Sequence, residues 1–256
     1  MANTKTSRLA LSDWQAQTLR LTIFPASGSI VSPHEKWWEQ LVGEPPVDVL
    51  SQPRLGSYQA GGPFENGKLV LVVEPLKMDW VYTTLDNESD DAVSVGRLDT
   101  GLDVLRDIAN RWFKNASVPS VARIAFGAVL ISPIDSRETG YALLSSYLRF
   151  EVDANDTSDF LYQINRRRDA LTNIVGLRIN RLTKWSLMTL FRTRMALNPE
   201  SSRLISEEKR GAFARIELDI NTSPDFQGEL NLLQQITVFD ELIDLGIEIV
   251  QQGDIP

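Results

Sequence analysis

Hydrophobic and polar residues alternate from Thr18 to Phe24, with Leu19, Leu21 and Ile23 set against Thr18, Arg20 and Thr22. That period of two predicts a strand with one buried face. Ser32-Pro33 then opens a predicted helix to about Leu41, with serine as N-cap and proline in the first turn. Arg54–Ala60 and Lys68–Val73 read as two strands joined at Asn66-Gly67, a pair that tolerates positive φ. The second resumes after Pro75 and reaches Tyr82. Leu85–Asp91 reads as an acidic loop. Leu102, Leu105, Ile108, Ala109, Trp112 and Phe113 follow helical spacing and predict a helix from Asp99 or Thr100 to Lys114. Val121–Ile131 is a long apolar run, expected as a central strand.

The same order recurs after a connecting helix from Ser136 to about Ser146. Tyr147–Asp153 alternates as a strand, and Thr157 or Ser158 caps a predicted helix to about Ala170. Leu177–Met195 reads as a long, bulged strand and Asn198–Arg210 as a polar loop. In Phe213–Ile220, Ala214, Ile216, Leu218 and Ile220 share one face and Arg215, Glu217 and Asp219 the other. Gln227–Leu245 reads as a helix stopped by Gly246, with Ile247–Val250 as a short last strand. Both halves therefore read β-α-β-β-α-β. The expected fold is α+β, two ferredoxin-like halves with largely antiparallel sheets. Breaks at Pro133 and near Asn155 compete as the boundary; the division adopted is 1–134 and 135–256.

Composition narrows the chemistry more than the fold. The chain has 256 residues, 43% hydrophobic and 23% charged, as in ordinary globular proteins. It has no cysteine, which removes disulfides, thiolate metal sites and cysteine nucleophiles. Its single histidine, His34, excludes sites that need two. Met1–Arg20 is polar with no apolar signal segment, and no run approaches the ~20 apolar residues of a membrane span. The expectation is a cytoplasmic protein with no membrane association.

Two apparent motifs fail on mechanism. Gly62–Lys68, GPFENGK, has phosphate-loop spacing, but Leu69 stands where Ser or Thr would hold magnesium and a strand follows. Asp153, Asn155 and Thr157 begin like a calcium loop, but Ser158 replaces the glycine and Ile164 the glutamate. Glu217 and Asp219 lie on one strand face, suitable for magnesium and equally for water. No cofactor is predicted.

Charge is unevenly placed. Phe160–Arg194 holds eight cations and one acid, whereas Gly211–Pro256 holds nine acids and one cation. The simplest expectation is mutual neutralisation in the fold. A subset of the cations is left as candidate partner-binding residues: Arg166, Arg167, Arg168, Arg178 and Lys184. Trp37 and Trp38 join them, one expected in the core and the other at an interface, where tryptophan is enriched. Arg181 alternates onto the face of Leu177 and Ile179. It is expected to be buried and paired with Glu217, Asp219 or Asp169.

DFLYQINRRRDA, GLRINRLTKWS and ARIELDI, followed by a long terminal helix, resemble a sporadically distributed family of bacterial proteins of about this length. That family has no established biochemical function. The resemblance covers mainly the second half. It implies a two-part α+β fold and a bacterial cytoplasmic setting, and it carries over no catalytic residues.

The leading functional expectation is a non-enzymatic interaction protein, a homo-oligomer or a subunit of a small complex. The alternatives are a nucleic-acid-binding protein using 166–184 and a magnesium-dependent phosphotransfer enzyme or nuclease. Nucleic acid is not favoured as a partner, because the acidic C-terminal segment would repel a phosphate backbone.

Overall fold

The computed structural model describes residues 7–26, 34–85, 94–114, 120–155, 157–198 and 201–255, with the backbone alone over 192–198 and 201–210. The predicted helix start at Ser32-Pro33 and most of the predicted Leu85–Asp91 loop lie outside the described residues.

Nine strands form one sheet: β1 (Gln15–Pro25), β2 (Asp48–Gln52), β3 (Ser57–Phe64), β4 (Gly67–Glu74), β5 (Lys77–Thr83), β6 (Val121–Ile134), β7 (Leu161–Asp169), β8 (Arg178–Asn198) and β9 (Ser201–Thr222). Their spatial order is β2-β3-β4-β5-β1-β6-β9-β8-β7. Every named pair is antiparallel. The helices are α1 (Trp37–Val42), α2 (Leu98–Phe113), α3 (Arg137–Tyr147) and α4 (Leu232–Gln252).

This corrects the expectation of two ferredoxin-like halves. β6 pairs with β1 on one side and β9 on the other, so the strands of both halves fuse into one sheet across the 134/135 boundary. The predicted strand Arg54–Ala60 begins later, as β3 from Ser57, because Arg54 and Leu55 lie in a short 3-10 turn at Pro53–Leu55, and β2 before that turn is a strand the pattern does not predict. β3, β4 and β5 form a meander. Its first turn is Glu65-Asn66, and Glu65 carries the positive φ of 48°. Gly67 opens β4 because a Cβ there would stand 2.5 Å from the Thr83 carbonyl oxygen.

Five further expectations are corrected. The predicted helix from Thr157 or Ser158 is instead the edge strand β7. The predicted strand Tyr147–Asp153 is the end of α3 and a coil after it. The predicted loop Asn198–Arg210 pairs as a two-stranded ribbon, Leu197 against Ser202 and Phe191 against Lys209. The predicted last strand Ile247–Val250 belongs to α4, which ends at Gly253, φ 83°. Gly246 is no cap; a Cβ there would lie 2.6 Å from the Phe126 ring.

The helices pack on one face of the sheet. Ser136 caps α3 by accepting from the Thr139 amide, and Asn231 caps α4 by accepting from Gln234. Trp112 of α2 meets Trp37 of α1 edge to face at 5.2 Å and Trp80 of β5 at a tilt at 5.5 Å, with Trp38 6.2 Å from Trp80. Phe239 of α4 meets Phe126 of β6, and Tyr147 of α3 stacks on Trp185 of β8 at 5.2 Å. No described helix is long and apolar enough to cross a membrane.

Candidate interaction surface

The arginine stretch folds as an edge strand because its alternation has two kinds of partner. Tyr162, Ile164, Arg166 and Arg168 point toward the helix layer and are half-buried; Leu161, Gln163, Asn165, Arg167 and Asp169 are exposed. Arg166 donates two bonds to Asp254, just past α4, one of them Nη2 to Oδ2 at 2.8 Å. Tyr162 donates to the same carboxylate at 2.9 Å. The Arg166 bonds, first among the causes, hold the Asp254 carboxyl below its ordinary value, against the effect of burial. Arg167 pairs with Asp225 and donates to Ser223 Oγ at 2.9 Å. Arg168 lies 3.6 Å from Glu248, Arg178 3.2 Å from Asp169, and Lys184 3.5 Å from Glu217. Each of the five candidate cations thus has an acid within ion-pair distance. Four of those acids come from the acidic C-terminal segment.

Arg181 is buried as expected, 2% exposed, but not with the expected acids. It sits opposite Ile220, while Glu217 and Asp219 stand opposite Lys184 and Leu182 on the other face. Its Nε and Nη1 have no hydrogen-bond partner. Burial, then Arg168, lowers its proton affinity, and Glu248 opposes them. Trp37 and Trp38 are each 1% exposed, so the structure places both in the core.

The face away from the helices carries the surface that sequence reading did not single out. Among the described residues no helix packs on it. Its rows follow from the strand register. One row runs Val81, Arg20, Gly127, Asp219, Leu182 across β5, β1, β6, β9 and β8. The row on one side runs Asp79, Thr22, Ala125, Asn221, Asn180, and that on the other Thr83, Thr18, Val129, Glu217, Lys184. Gly127 and Ala125 make the middle low. The Arg20 guanidinium lies over Gly127, where a Cβ would stand 3.0 Å from Nε and 3.1 Å from Nη2. Asp79 holds Arg20 at 3.9 Å and Lys77 at 3.0 Å, and accepts from the Thr22 hydroxyl.

On the far side of Gly127, Asp219 accepts from Asn221 at 3.0 Å, and Asn221 accepts from Asn180 at 3.1 Å. Glu217 is shared by Lys184 and Arg215, at 3.5 and 2.8 Å. The two carboxylates weighed for magnesium are therefore each engaged with nitrogen donors. Arg123 stacks 4.4 Å over Phe24 and donates to the Thr222 carbonyl. Thr18, Arg20, Val129, Leu182, Lys184 and Asp219 border a depression of about 180 Å³.

The described residues contain no group of three or more acids or histidines placed to hold a metal ion. Compared with the models of known protein families and with the curated proteins, the chain matches none.

Proposed function

We propose that the chain is a non-enzymatic interaction protein that meets a protein partner through the helix-free face of its sheet, in the bacterial cytoplasm that its resemblance implies. The observation that carries this reading is the one-sided arrangement of the helices. It leaves the central strands open over a face that mixes half-buried Val81, Val129 and Leu182 with Arg20, Asp219, Lys184 and Glu217. That mixture of apolar and polar area is typical of surfaces that associate without being obligate cores. The candidate cations of 166–184 are engaged with acids, which favours a structural use of that stretch over phosphate binding.

Light scattering at micromolar concentration and pull-down with the tagged chain test the reading, each with the wild type and with Leu182→Arg. Association that Leu182→Arg abolishes while the melting temperature holds is the expected result. A wild type that stays monomeric and captures nothing overturns it.

A further inference from the structure

We infer that the partner of the helix-free face is a second copy of this chain, docked face to face about a two-fold axis along β6. This rests on the proposed use of that face for association. An axis lying between two such sheets and parallel to β6 exchanges the β1 side of one copy with the β9 side of the other. Each row then meets itself reversed, so complementarity can be read from the register.

In the Gly127 row, Arg20 of each copy falls on Asp219 of the other, Val81 on Leu182, and glycine on glycine. In the Ala125 row, Thr22 falls on Asn221 and Asp79 on Asn180, acceptors against amide donors. In the Val129 row, valine falls on valine, Thr18 on Glu217 and Thr83 on Lys184. No like charges meet within these three rows.

Arg20 suits the role. Its side chain keeps 38% of its surface exposed, and Asp79 reaches its Nε only at 3.9 Å. Its fork is spread flat over Gly127, presented to whatever covers the face. Asp219 accepts from one side-chain amide and keeps acceptor capacity for a guanidinium. About an axis on β6 the three strands on its β9 side can face only three on its β1 side, so seven strands, about 30 Å across, overlap, and contact over about 20 Å of strand length gives on the order of 600 Å² per copy. That is the lower edge of the size range of stable interfaces.

Reciprocal charge reversal tests the geometry. Arg20→Asp places two like-charge contacts across the interface, and so does Asp219→Arg. Each variant alone should dissociate the dimer, weakening it by about a hundredfold or more. An equimolar mixture of the two restores both pairs and should sediment as a heterodimer. Folded single variants that remain dimeric overturn the inference, as does a mixture that stays monomeric. If Arg20→Asp fails to fold, Val129→Lys replaces it. That change sets two cations together at the axis and must dissociate the dimer. A wild-type dimer indifferent to all these changes, or a monomer that binds another protein in a Leu182-dependent way, defeats the face-to-face dimer alone. A monomer that captures nothing defeats the interaction reading as well.

Discussion

Arg166 on the edge strand β7 grips Asp254, just beyond α4, with two hydrogen bonds, and the carboxylate is almost out of contact with solvent, its side chain 3% exposed. The pair ties the edge strand of the sheet to the end of the longest described helix. Tyr162 adds a third bond to the same carboxylate. Arg166 keeps a quarter of its side chain in water, so this pair is only partly desolvated.

Removing the acid leaves a half-buried guanidinium uncompensated. Asp254→Asn should therefore destabilise the fold by about 2–3 kcal/mol, below the full scale for a buried pair because Arg166 is partly solvated. The pH dependence has a fixed sign. The folded carboxyl lies below the unfolded value of about 3.9. Its contribution is fully present above that value and is lost as pH falls through the folded value. Urea unfolding at pH 7 and at successively lower pH checks both points: the difference between wild type and Asp254→Asn should shrink in acid.

Arg181 leads to the opposite expectation. It is buried beside Arg166 and Arg168, and two of its nitrogens lack partners. A methionine fills similar volume without an ionic desolvation cost. Arg181→Met should leave stability unchanged or raise it, by up to about 2 kcal/mol. A loss larger than that in chemical denaturation would show that the guanidinium has a strong partner in solution.

Gly246 lies in the middle of α4, where alanine normally adds about 1 kcal/mol of helix propensity. Here the added methyl would meet the Phe126 ring at 2.6 Å and approach Leu218 at 3.4 Å. Overpacking costs about 1–3 kcal/mol. Gly246→Ala should therefore lower the melting temperature, whereas Phe126→Leu in the same chain should recover part of the loss.

Trp112 is fully buried between Trp37 and Trp80 and so joins α1, α2 and β5. Trp112→Ala should cost about 3–5 kcal/mol. The intrinsic fluorescence of the remaining tryptophans should shift to the red as water enters the cluster. An unchanged emission maximum together with unchanged stability would contradict the packing described.

Where burial and local geometry agree, the elements were legible from residue order. β1, β6 and the part of β9 paired with β6 alternate or run apolar because one face or both faces are covered. α2 and α3 carry helical spacing and, in α3, a serine cap. The burial of Arg181 followed from alternation alone.

Tertiary structure decided the rest. β7 was unreadable as a strand because two of its inward positions, Arg166 and Arg168, are cations, so its alternation is not hydrophobic. Their neutralising acids, Asp254 and Glu248, lie far along the chain on and beyond α4. Gly246 resembled a helix stop because a close approach to Phe126 and a C-cap both call for glycine, and only packing separates them. The fusion of all strands into one sheet depends on β6 pairing at both edges, a choice among strands that no local pattern encodes. The helix-free face is likewise visible only in the register. Arg20, Gly127 and Asp219 are scattered over the sequence, and antiparallel pairing through β6 is what sets them side by side.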